Sequence, residues 1–431
     1  MMMKRIAALA LAALLALLAA GAMAATEPTV YDENGVELSG LYDSSKKRLT
    51  ISAPGTYTIK DWYGATSGVP AEGQIHISKS IKDVVVLNLE NVCLTSNAQT
   101  VITNMIDGDK RNPPNKLHLT VNFDGNSSLE SQLGEGDCID ILTEKDGKII
   151  LGGTGPKIHA YDGMAVSVVA KLGGTASVEV TGVGADLKSK NAVLYAWANS
   201  NGKAKVTVSG NDASITGLES SEAISCSGEA GAEVEISGEN AKISCAESFG
   251  VYCRVRTQEG QAVVSVSGDG VEIEGGSYGV WVGNNKNQAV GRIVLSAAAV
   301  LSSELGHAVD AGSLTVEGCA LYASENHSQL LGDASSGNLI GKAQGKTYLR
   351  TAHVQPEAPQ PGDGGEPKPD DGKDEPQPGG GAEPQPEETD AAAGLPRTGD
   401  SSSLALWAGL LALSALALAS LKVEVPEGRR G

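Results

Sequence analysis

Glu135, Asp137 and Asp140 fall within six residues, in the run Gly134-Glu135-Gly136-Asp137-Cys138-Ile139-Asp140. Carboxylates this close offer hard oxygen ligands of the kind calcium gathers six to eight at a time. Asp162, followed by Gly163, and Asp310 would sit at related turn positions. Aspartate is also common in turns because its side chain bonds nearby backbone, so solvated turn residues stay open as the competing account. Arg254 and Arg256, with Glu247 and Glu272 not far in sequence, are the base and carboxylates a polysaccharide lyase would need on one face; exposed surface charge is the simpler account. No Gly-x-Ser-x-Gly or His-Glu-x-x-His string occurs, and the six histidines lack metal-ligand spacing. No catalytic residue is assigned, and a non-enzymatic role is expected.

These residues belong to a repeating body. Val206-Thr207-Val208-Ser209-Gly210, Ala213 and Ile215 recur as Val234-Glu235-Ile236-Ser237-Gly238, Ala241 and Ile243, every member displaced by 28. The string stands upstream as Val178-Glu179-Val180-Thr181-Gly182 and downstream as Val264-Ser265-Val266-Ser267-Gly268. Apolar and polar residues alternate, the pattern of short strands with one buried face. A third alternating piece occurs later in each repeat, as in Gly250-Val251-Tyr252-Cys253 and Gly279-Val280-Trp281-Val282. Three strands per ~28-residue coil, with no helical periodicity, predict an all-β fold, a solenoid of the parallel β-helix type. It should be right-handed, because strand crossovers almost always are. A β-sandwich array is the alternative, but its hairpins would show Asn-Gly or Asp-Gly turns and no fixed period. Stacked coils would set equivalent positions about 4.8 Å apart, with Asp162 one coil above the 135–140 run. Trp62, Tyr63, Trp197 and Trp281 would favour sugar stacking if they gathered on one outer face. Trp197 and Trp281 fall in strand-like runs, so a place in the core is the alternative.

The two ends carry addresses. Lys4 and Arg5 precede an Ala/Leu run from Ile6 to Ala20, and Ala22-Met23-Ala24 is a small-x-small cleavage site. Residues 1–24 therefore read as a secretory signal peptide cut after Ala24. Residues 25–354 hold the repeats. Residues 355–394 carry nine prolines, eleven acidic residues and two basic ones, and read as a disordered, extended spacer that cannot bury a core. In residues 395–431, Leu395-Pro396-Arg397-Thr398-Gly399 precedes an 18-residue apolar run, Leu404 to Leu421. As a helix that run reaches ~27 Å, close to the hydrocarbon thickness of a bilayer. Lys422, Arg429 and Arg430 behind it would stay cytoplasmic. This order resembles the cell-wall sorting signal of Gram-positive surface proteins. The resemblance implies cleavage by a sortase between Thr398 and Gly399, and covalent attachment of Thr398 to peptidoglycan. Membrane contact would then be limited to the C-terminal transmembrane span before sorting. Val423-Glu424-Val425-Pro426-Glu427 departs from the pattern by diluting the basic tail.

The chain carries a net charge of −19, and the body without its ends and spacer carries −13. Such a body is a poor partner for nucleic acid, whose phosphates need Lys and Arg. It attracts divalent cations and opposes an acidic polymer unless cations bridge the two. The six cysteines are widely and irregularly spaced, with no Cys-x-x-Cys, and are expected as buried free thiols.

Three segments carry a further resemblance: Pro54-Gly55-Thr56-Tyr57-Thr58-Ile59, then Gly73-Gln74-Ile75-His76-Ile77, then Lys82-Asp83-Val84-Val85-Val86-Leu87-Asn88-Leu89-Glu90-Asn91-Val92-Cys93-Leu94. They resemble the opening coils of a family of bacterial surface β-helix proteins that bind carbohydrate and are similar in fold to pectate lyases. The resemblance covers residues ~50 to 190. It implies polysaccharide binding without cleavage, assisted by calcium at Asp-Gly-Asp-Gly-Ile-type turns, to which Glu135, Asp137, Asp140 and Asp162 correspond. Cys138 stands where that family tends to glycine. The expectation is a secreted, wall-anchored surface protein displaying a carbohydrate-binding β-helix. The alternatives are a polysaccharide lyase or hydrolase, and an adhesin or stalk that binds host protein.

Overall fold

The computed structural model describes residues 25–354, apart from 66, 97–99, 106–111, 125, 133–135, 220–221, 285 and 287. Ala24, Glu135, the spacer 355–394, the pentapeptide Leu395 to Gly399 and the apolar run 404–421 lie outside the described residues. The chain divides into two units, Met1–Ala358 and Pro359–Gly431, and the repeating body belongs to the first.

Each repeat makes three short strands. Asp146–Gly153, Lys157–Ala160 and Val166–Ala170 form one coil; Thr175–Val180, Asp186–Ser189 and Leu194–Ala198 form the next. Every strand of these coils pairs in parallel with its counterparts in the neighbouring coils, building three sheets of 11, 12 and 11 strands among the described residues. The register is the one the sequence repeat dictates: Val178 pairs with Val206, Val206 with Val234, and Val234 with Val264. These valines point inward and are fully buried, as are Leu187 and Ile215 in the second sheet and Val166, Leu194 and Ile224 in the third. Each such side chain contributes roughly 1.5–3 kcal/mol on burial. No coil can bury this face without its neighbours, so the stack is stable only as a stack. The body is thus all-β, a parallel β-helix. The sandwich alternative fails because each strand pairs in parallel with its counterpart one repeat away, in three sheets and not two.

The corners arise from the same stacking. Gly210, Gly238 and Gly268 stand two residues past the ends of equivalent strands, and a Cβ on each would overlap the carbonyl oxygen of the glycine one coil earlier. Only glycine allows the backbone layers to approach so closely. Next to them, Asp212 and Asn240 take left-handed backbone, at φ 56° and 55°, which Asx residues tolerate better than most. Their N–H groups donate to Glu239 and Asp269 carbonyls, both at 2.8 Å, and Asn240 Nδ2 donates to Asp212 Oδ1 at 3.2 Å.

Both ends of the stack are closed by chain running the other way. Thr29–Tyr31 lies antiparallel to Gly55–Lys60, and Tyr42–Asp43 antiparallel to Arg48–Ile51. Trp62 is 1% exposed and meets Tyr42 edge-on at 5.3 Å, so it belongs to this cap and not to a sugar-stacking surface. At the other end Tyr348–His353 runs antiparallel to both Ala299–Ser303 and Cys319–Tyr322. The short helix Ile340–Ala343 lies beyond, with Leu339 and Ala343 buried. Antiparallel chain on an open edge removes a template for further pairing. All six cysteines are buried and free.

Gly238→Ala should cost about 1–3 kcal/mol, because its methyl has nowhere to go. Gly231→Ala, where the nearest atoms stand at 3.7 Å, should be close to neutral. Thermal denaturation monitored by circular dichroism compares the two, and equal melting temperatures would show that layer spacing does not demand glycine.

Candidate functional site

Strand alternation sends one column of side chains in each sheet outward. In the third sheet Asp140 pairs with Ser167, Ser167 with Tyr195, Tyr195 with Ser225, Ser225 with Tyr252, Tyr252 with Trp281 and Trp281 with Asp310. A neighbouring column runs Leu142, Val169, Trp197, Ser227, Arg254. The columns step abruptly from small to large where Ser167 and Val169 meet Tyr195 and Trp197. That step leaves a cleft of about 840 Å³.

Asp137, Asp140 and Asp162 all line this cleft, together with Glu222 and Lys171. Three of the four carboxylates expected to act together are therefore brought to one place. Asp140 reaches it from the strand Ile139–Thr143, while Asp137 and Asp162 reach it from the turns just before two successive third-sheet strands. These turns touch backbone to backbone, since a Cβ on Gly163 would overlap the Gly136 carbonyl. Asp137 Oδ1 accepts the Met164 N–H at 2.7 Å, and the Asp162 carbonyl accepts Asn191 Nδ2 at 2.5 Å. Lys190 Nζ lies 3.9 Å from Asp162 Oδ1 and 3.1 Å from Glu219. Turn hydrogen bonding is thus part of what Asp137 does. Among the described residues no group of three His, Cys, Asp or Glu side chains forms a metal shell. The calcium expectation rests on carboxylates that share a cleft, not on a coordination sphere.

The end wall is aromatic. Tyr195 and Trp197 stand edge to face, 5.9 Å between centroids. Arg256 reaches back from two coils further on, with its guanidinium 5.4 Å over the Trp197 ring. It is held there by Asn199 Oδ1 at 2.5 Å and lies 3.9 Å from Glu229. Burial, reinforced by Glu222 and Asp140 against the opposing pull of Arg256, holds the Tyr195 phenol well above its usual range. It stays a hydroxyl at any physiological pH. Two polar atoms have no partner: Ser167 Oγ, on a residue 1% exposed, and Trp197 Nε1. The apolar part of the lining is Met105, Leu142, Met164, Val169 and Ala192.

The other aromatic residues of this face behave differently. Tyr252 stacks on Trp281 at 4.8 Å, Phe249 stacks on Tyr278 at 5.5 Å, and Tyr278 meets His307 at 5.8 Å. Their rings cover one another, whereas Tyr195 and Trp197 adjoin small residues and open space. Trp197 and Trp281 are thus outward residues, not core. Asp310 lies in the strand His307–Asp310, not in a turn, and pairs with Trp281 far from the cleft. Burial raises its carboxyl pKa, partly offset by His307 and by a hydrogen bond from Trp281. Arg254 and Arg256 do not assemble with Glu247 and Glu272: Arg256 serves the Trp197 wall, and Glu272 meets Lys242 at 3.4 Å.

Tyr195, Ser167 and Glu222 are cleft residues that motif reading misses. The sequence does hold their signal: shifting Val166-Ser167-Val168-Val169-Ala170 by 28 superimposes it on Leu194-Tyr195-Ala196-Trp197-Ala198, and the step in size is then visible. No family profile, curated protein or solved structure matches the chain.

Breaking the Arg256 support should loosen the wall. Arg256→Ala is expected to leave melting within a few °C of wild type, since an exposed pair and a cation–π contact contribute about 1 kcal/mol. It should increase quenching of tryptophan fluorescence by acrylamide; unchanged quenching would mean that Arg256 does not shield Trp197.

Proposed function

We propose that this chain is a secreted, wall-anchored surface protein of a Gram-positive bacterium whose β-helix binds a polysaccharide without cleaving it. The observation that carries the binding reading is the cleft at the Ser167–Tyr195 step. It combines an aromatic wall, an apolar floor and a rim of carboxylates, the mix of stacking surface and oriented polar groups that a sugar ring needs. Two addresses support the location: the leader ending at Ala24, and Leu395-Pro396-Arg397-Thr398-Gly399 with its apolar run and basic tail. Sortase is then the processing partner, peptidoglycan the covalent one through Thr398, and residues 355–394 the spacer that holds the cleft clear of the wall. A lyase is the second reading, favoured by Lys171 standing among the cleft carboxylates, a cation near the groups that would hold an acidic sugar.

Pull-down with insoluble polysaccharides, and then titration against the best binder, should show binding that Trp197→Ala weakens tenfold or more, about 1.4 kcal/mol. Absence of binding to every glycan offered would overturn the proposal, and new unsaturated products absorbing in the ultraviolet would replace it with the lyase. A chelator arm reads the part of calcium: lost binding in EDTA assigns Asp137, Asp140 and Asp162, with Glu135, to a cation, and unchanged binding removes calcium. Separately, Thr398→Ala should move the protein from the wall fraction to the membrane and medium. Wall-linked protein that persists in that variant would contradict sortase attachment.

A further inference from the structure

The lining of the cleft specifies more than a sugar ring. Trp197 Nε1–H is buried and has no acceptor, and an indole N–H can only donate. A buried donor left unmade costs about 1–3 kcal/mol, so a ligand atom that accepts from it gains correspondingly. Ser167 Oγ, across the strand pair from Tyr195 and two positions along from Trp197, is also without a partner. Asp137, Asp140, Asp162 and Glu222 supply acceptors only. The same lining holds Leu142, Val169, Met164 and Ala192, apolar surface that no hydroxyl or ammonium would satisfy. The three features together ask for one compact group with an acceptor, a donor and a methyl.

We propose that the cleft recognises the acetamido group of an N-acetylated amino sugar. The acetamido carbonyl accepts from Trp197 Nε1–H, its N–H donates to the carboxylate rim, and its methyl packs on Leu142 and Val169. A free amino sugar would suit the carboxylates but leave the Trp197 donor unpaired. A plain hexose could meet the donor but leaves the apolar patch uncovered. An anionic sugar faces four carboxylates against the one lysine of the described lining, Lys171, and a body of charge −13. This inference rests on the reading of the cleft as a glycan site, and it names the sugar class.

Three β-1,4-linked trisaccharides separate these chemistries, because they differ only at carbon 2: tri-N-acetylchitotriose, its deacetylated form, and cellotriose. Calorimetric titration of the whole chain should show the acetylated trimer bound about tenfold or more tighter than either other. Trp197→Phe keeps an aromatic ring but removes the N–H together with the rest of the indole, so it should weaken the acetylated trimer more than cellotriose and erase that preference, while the melting temperature stays near wild type. Equal affinity for acetylated trimer and cellotriose, tightest binding of the deacetylated trimer, a preference that survives in Trp197→Phe, or displacement of sugar by tetraalanine would each overturn the inference. If insoluble polysaccharide binds and no trimer does, the inference again fails while the glycan reading stands; if nothing binds, the glycan reading fails with it.

Discussion

Every part of this body answers to the vertical spacing between coils. Parallel strands hydrogen-bond about 4.8 Å apart, so each residue must lie on a counterpart it can tolerate at that distance. Inside, the demand is met by columns such as Val178, Val206, Val234 and Val264, whose branched side chains fill a narrow core layer by layer. At the corners it is met by Gly210, Gly238 and Gly268, because any side chain would occupy the space of the layer below. At the turns it is met by Asp212 and Asn240, which accept left-handed backbone and bond to each other. The ends have no next coil, and there the chain reverses and pairs antiparallel.

On the outside the same constraint shapes the surface by being relaxed. Outward columns are free of core packing, so their members can change size from one coil to the next. Tyr252 over Trp281 continues a column and buries ring against ring. Ser167 under Tyr195 and Val169 under Trp197 break one, and the break is a cleft. Nothing in the scaffold has to distort to make it, which separates the stability of the rod from the chemistry of its face. Met105 and Asp137, from outside the strands, complete the edge of the cleft.

Much of this is legible in the sequence because the constraint is periodic. A displacement of 28 residues identifies strands, register and corner glycines together, and the carboxylates Asp137, Asp140 and Asp162 are readable as neighbours once the coils are stacked. What the sequence hides is anything without a period. Trp62 reads as a surface aromatic and is a cap residue, because the cap is the one place where the repeat gives no guide. Asp310 reads as a turn residue and is a strand residue, because the last coil is short and its strand ends on a polar outward position. Glu222 reaches the cleft, and Arg256 the Trp197 ring of its wall, from coils further along, and local sequence does not predict how far a side chain extends.

If a break in the outward columns makes the proposed binding surface, Val169→Trp should abolish binding. The substitution lengthens the Trp197 column by one ring and fills the cleft without touching the core, since Val169 faces outward. The account predicts that polysaccharide binding is lost while the melting temperature stays within a few °C of wild type. Binding at full affinity to a stably folded Val169→Trp chain would show that the polysaccharide binds somewhere else.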